Sequence, residues 1–148
     1  MKSTGSASLM NADPSFPKHF WWLLAVYCAA SLVHFAHNAE YIAFYPNMPP
    51  WLTRENVYLA WLAVAGVGLL AIAFAATGWR AAAAVSFVVY GALGLDGLGH
   101  YWLALCSQHT FTMNLTIWAE ALAGSALAAC AGGTLALQFR RRRRGDRV

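Results

Sequence analysis

Six side chains of this sequence combine residue type and spacing in a way that could do chemistry. They are His34 and His37 in HFAHNAEY, Asp96 and His100 in GLDGLGHY, and His109 and Glu120 in HTFTMNLTIWAE. Histidine and carboxylate bind transition metals and shuttle protons, because both carry lone pairs and can take up or release a proton, histidine near neutral pH. All six lie in or beside strongly apolar stretches. An ionisable side chain at the centre of a bilayer helix costs about 2.5–3.5 kcal/mol on insertion scales, so a short chain that keeps several of them has a use for them.

The elements that must position these groups follow from composition. Of 148 residues, 59% are hydrophobic and 11% charged, against about 25% charged in ordinary soluble domains. Four apolar runs, about residues 19–45, 56–78, 81–105 and 110–138, each reach the roughly 20 residues that cross a bilayer. The expectation is an all-α integral membrane protein, a four-transmembrane-helix bundle over residues 19–139. A flexible cytoplasmic tail precedes it (1–18) and a basic cytoplasmic tail follows it (140–148). The first apolar run is too long for a signal-peptide core, so no cleavable leader is expected. Nine of the ten Lys and Arg residues fall on one side of the spans and only Arg54 on the other. This bias predicts a plasma (inner) membrane protein with both termini cytoplasmic. The Arg140–Arg144 run reads as a topology signal that also touches anionic lipid headgroups. Nothing else in the chain suggests nucleic-acid binding. Cys28, Cys106 and Cys130 follow no pairing pattern and read as packing residues.

Helical geometry sharpens the cluster. At about 100° per residue, Tyr27, Ser31, His34, Asn38, Tyr41 and Tyr45 fall on one stripe of the first span, with His37 beside it and Glu40 further round. Asp96 and His100 stand four apart and are expected to share a face. His109, Met113, Thr116 and Glu120 line one face of the fourth span, near Asn114. At about 1.5 Å per residue, His37, Asp96 and Glu120 all lie roughly 12–15 Å below the same end of the bundle. One outward-opening chamber built by spans one, three and four is the simplest arrangement. Span two, rich in Ala and Gly, reads as packing, with Gly66 and Gly68 allowing close approach. His19 belongs to the opposite interface, while Tyr45 and Trp51 suit the interface beside the loop. The bland alternative is a hydrogen-bonded stripe that glues helices together, worth about 0.6 kcal/mol per contact. It accounts for Ser31, Asn38 and the tyrosines better than for two histidines one turn apart.

The expected metal ligands are His34, His37, Asp96, His100, His109 and Glu120. Asp96 and Glu120 are the candidate catalytic groups, His34 and His100 the candidate cofactor ligands, and Asn38, Glu40, Tyr41 and Asn114 the supporting polar groups. Imidazole favours borderline metals, so the cofactor expected is a transition metal (Cu, Fe or Zn) or haem. The inward-pointing ligands resemble those of di-iron carboxylate bundles. The D-x-x-x-H element with a later histidine (Asp96, His100, His109) resembles the copper motif of the membrane methane and ammonia monooxygenase subunits. Four spans, a Y-P…P-P-W loop and a basic tail look similar to the sterol-isomerase and sigma-two-receptor superfamily. That likeness implies a metal-free, acid–base or ligand-binding bundle for lipid-like molecules. A transporter, a homo-oligomer or an assembly subunit of a larger complex is the remaining class.

Overall fold

The computed structural model describes residues 16–145, so residues 1–15 of the expected N-terminal tail and residues 146–148 of the basic tail lie outside it. The described chain is all-helical. Its long helices are α1 (Lys18–Glu40), α2 (Arg54–Ala76), α3 (Arg80–Leu93) and α5 (Phe111–Gly145), with a single-turn α4 (His100–Leu103) between the last two. Four helical segments are long and apolar enough to cross a membrane, the third running from Arg80 through α4 to Leu103. Lys18, Arg80 and Arg140–Arg144 mark one end of the bundle, here called the basic end. The other, far end carries the loops 41–53 and 104–110.

Local signals explain most boundaries. Thr53 caps α2, its hydroxyl accepting from the Asn56 amide at 3.3 Å, with Glu55 in the first turn. Gly78, at φ +81°, ends the α2 segment in a left-handed turn that L side chains avoid. Helix α1 stops at Glu40, earlier than the stripe suggested. A 3-10 turn (Ile42–Phe44) and Pro46 then fold the chain back, so Tyr45 is buried rather than an interface anchor. Phe16 already stacks on Phe20 at 4.4 Å, so ordered packing begins before the expected tail boundary at residue 18. At the other terminus α5 continues through the arginines to Gly145. Arginine is a good helix former, and positive charge suits a helix C-terminus.

The third span departs most from expectation. Instead of one helix over 81–105, α3 ends at Leu93, a 3-10 turn runs Asp96–Gly99, and α4 adds four residues. Four glycines between positions 91 and 99 weaken the helix. Close packing makes use of them: a Cβ at Gly91 would stand 2.5 Å from the Gly124 carbonyl, and one at Gly94 2.7 Å from the Tyr27 ring. Helix α2 is the outer member of the bundle, with only Val57, Gly68 and Ala71 buried. Gly68 faces the Tyr90 ring as expected of a packing glycine, whereas Gly66 meets nothing and faces outward.

Apolar and polar interiors are segregated along the bundle. The basic half holds a core of Phe20, Leu24, Tyr27, Phe87, Tyr90 and Leu127 with small alanines between them. Buried Ser31, His34, Asn38, His100, His109, Thr116 and Glu120 fill the far half. Many large hydrophobics face outward, including Leu59, Leu62, Leu69, Trp102 and Phe111. Such a surface suits lipid and would be a liability in water.

Candidate functional site

Helix α1 contributes Ser31, His34 and Asn38, spaced three and four apart and therefore on one face. Helix α5 contributes Met113, Thr116 and Glu120 at the same spacings. The broken third span adds Gly97 and His100, the turn after α1 adds Tyr45, and the loop before α5 adds His109.

The deepest contact is between His34 and Glu120, whose side chains are 3% and 1% exposed. Thr116 donates its hydroxyl to the Met113 carbonyl at 3.0 Å, so its oxygen is left to accept from Nδ1–H of His34 at 3.4 Å. In the tautomer with the proton on Nδ1, Nε2 carries a lone pair; this nitrogen faces Oε2 of Glu120 at 3.6 Å. Gly97 closes over the pair, and a Cβ there would stand 3.3 Å from His34 Nε2 and 3.4 Å from Glu120 Oε2. A Gly97→Ala chain is expected to fold but to lose about 1–3 kcal/mol, the usual cost of overpacking, in thermal unfolding in detergent.

Three imidazoles lie in a row towards the far end. The rings of His34 and His100 are 5.6 Å apart and those of His100 and His109 6.2 Å. The Asn38 amide donates to His100 Nε2 at 3.0 Å. His109 donates Nδ1–H to the Leu105 carbonyl at 3.0 Å, leaving Nε2 buried without a partner. Tyr45 packs beside this row, its ring 4.9 Å from His100, and its phenol meets Nδ1 of His37 at 2.9 Å. Burial pushes the Tyr45 phenol up to about 12, so at neutral pH it is a protonated group able to donate to His37. His37 itself is half-buried, with Tyr41 tilted over it at 4.8 Å.

Other expected members stand apart. Asp96 is exposed: the 3-10 turn between it and His100 removes the α-helical stacking that a spacing of four implies. Glu40 points to the surface, where it pairs with Arg54 at 2.7 Å and accepts from the Tyr58 hydroxyl at 2.7 Å. Tyr41 is also exposed. Asn114 serves the loop: it accepts from Tyr101 at 2.7 Å and donates to the Cys106 and His109 carbonyls at 3.1 and 3.4 Å. It thereby holds the backbone of His109 in place.

Among the described residues, no three His, Cys, Asp or Glu side chains are grouped so as to hold a metal ion. The histidines form a row rather than a shell. Buried atoms without a hydrogen-bond partner nevertheless gather here: Ser31 Oγ, Asn38 Oδ1, His109 Nε2 and both carboxyl oxygens of Glu120. All four of those groups carry acceptor atoms, and only the serine hydroxyl and a protonated Glu120 could donate.

Gly97 is the member that residue patterns alone do not find, and Tyr45, expected on the stripe of the first span, reaches the site through the turn after α1 instead. No periodicity reports that a turn tucks a tyrosine beneath a helix end. Gly97 is foreshadowed only by the glycine-rich surroundings of His100. Comparison of the chain with models of known protein families, with curated proteins and with solved structures returned no match.

Proposed function

We propose that this chain is a multi-pass plasma-membrane protein whose outward half carries a buried acid–base site, with His34 and Glu120 as the proton-exchanging pair acting on an apolar or lipid-like molecule. One observation carries the reading: the buried imidazole of His34 faces the buried carboxyl of Glu120 at 3.6 Å. A lone buried charge is costly. Two forms of the pair avoid one, the carboxylic acid beside a neutral imidazole and the carboxylate beside an imidazolium. A proton can therefore move between the two groups without changing the net charge of the site. Such a pair can give a proton to a third group or take one from it, which is general acid–base catalysis. His100, Tyr45 and His37 extend the polar path towards the far end. In 15N-histidine-labelled protein, Glu120→Gln is expected to change the pH response of the His34 imidazole resonance. An unchanged response sinks the proposal.

The basic residues clustered at one end of the bundle support an orientation with both termini in the cytoplasm. In a chain whose only cysteine is Cys106, an impermeant maleimide should label intact spheroplasts. A cysteine in place of Arg144 should react only after permeabilisation. The opposite pattern overturns the orientation.

A second reading, a transition metal (Cu, Fe or Zn) or haem, is favoured by one buried imidazole acceptor without a partner, His109 Nε2. Acceptors buried without donors are satisfied by a cation. The His109 tautomer, with Nδ1–H on a backbone carbonyl, is the one that presents Nε2 to a metal. Stoichiometric metal or a haem spectrum in protein purified without a His-tag, lost in His109→Ala, would establish it. Metal-free protein with a flat spectrum would exclude it.

A further inference from the structure

A groove of about 530 Å³ lies between the far ends of α1 and α5, lined by His37, Tyr41, Phe44, Thr110, Thr112 and Met113. Its size lies within the range of small-molecule sites, about 300–1,000 Å³. Phe44 is 74% exposed and Phe111 81%, so exposed aromatic rings stand beside the groove. The inner wall is different. Met113 is buried, and His37 holds the Tyr45 phenol at 2.9 Å. Tyr45 in turn packs on His100, so one tyrosine separates the groove from the buried row.

The lining selects its occupant. It contains three hydroxyls and one imidazole, with no carboxylate, lysine or arginine. Nothing there neutralises a charged headgroup, and Glu40 and Arg54 are already paired with each other at the surface. The hydrogen-bonding groups suit a small uncharged head, and Phe44 and Met113 suit a hydrocarbon tail.

We infer that this groove receives an uncharged amphiphile from the surrounding leaflet, a long-chain or polycyclic alcohol or ketone, with its oxygen against His37 and its tail leaving past Phe44. This rests on the acid–base reading above and names the substrate class of that site. Substrate would then enter laterally from the membrane, and His37 and Tyr45 would link its head to His100.

The test uses full-length protein in liposomes and two photoreactive diazirine probes, a polyprenol and a phosphatidylglycerol. The polyprenol is expected to cross-link to peptides containing Phe44 or Met113, with unlabelled polyprenol competing. Thr112→Trp or Thr110→Trp, exposed positions that fill the groove, should each lower the yield roughly tenfold, as a 1.4 kcal/mol loss would. Equal labelling by the charged probe, or a yield insensitive to both tryptophans, overturns the inference. The His34 resonance read in the same preparations separates the two ideas. If it still responds to Glu120→Gln while the cross-link is absent, the groove fails and the acid–base pair survives. If the cross-link forms without that response, the pair fails and the groove remains as a binding site only.

Discussion

A Gly124→Ala chain is expected to lose about 3 kcal/mol or more of stability, enough to leave most of it misfolded or aggregated in detergent. The added Cβ would stand 2.4 Å from the Gly91 carbonyl, 3.1 Å from the Tyr27 ring and 3.2 Å from the Gly94 Cα. Two of these three neighbours are backbone, which cannot rotate away, so the α3–α5 crossing would have to open. That places the cost at or beyond the upper end of overpacking penalties. Gly91→Ala should behave alike, since its Cβ would meet the Gly124 carbonyl at 2.5 Å and the Ala128 amide at 2.7 Å. Gly133→Ala on the same helix is the control: a Cβ there meets nothing within 4 Å, and alanine favours the helix by about 1 kcal/mol. Monodispersity and thermal unfolding of the three variants check the contrast. Equal behaviour would mean that the α3–α5 contact is looser than this packing requires.

The second large effect concerns the pair itself. His34→Leu strands the Glu120 carboxyl in a dry interior, and breaking a buried pair from one side costs about 3–5 kcal/mol. Glu120→Leu should cost less, because the remaining imidazole keeps Thr116 as a partner. Replacing both with leucine should restore or exceed the starting stability, since apolar replacement of buried pairs is often neutral or stabilising by about 1–4 kcal/mol. Strong non-additivity in a double-mutant cycle, read by thermal unfolding, is therefore the expected result. A polar glue predicts the reverse, with the double variant least stable. A pair kept for chemistry is one whose removal costs function without costing stability.

The sequence made some of this legible and hid the rest for physical reasons. The number of candidate spans followed from apolar length, because a bilayer-sized run leaves few alternatives, whereas the ends of the first, third and fourth did not. His34, Asn38 and Glu120 could be placed by helical spacing because α1 and α5 are regular helices where those residues sit. Asp96 could not. Its distance of four from His100 implies a shared face only in an α-helix, and glycines at 94, 97 and 99 replace that helix by a 3-10 turn. Glu40 was drawn away by Arg54 and Tyr58, which lie on the next helix and leave no mark on the periodicity of α1. Tyr45 belonged to the stripe only if α1 ran on to residue 45. It reaches the interior by a fold-back instead, so its burial came through a route the periodicity did not describe.

The most direct test of the central claim is the infrared absorption of the Glu120 carboxyl as the external pH is varied. Glu120→Gln identifies the band by subtraction. If His34 and Glu120 exchange one proton, the protonated-carboxyl band of the wild type must change its pH profile when His34 is replaced by glutamine. An identical profile with and without His34 would show two independent groups and contradict the acid–base pair.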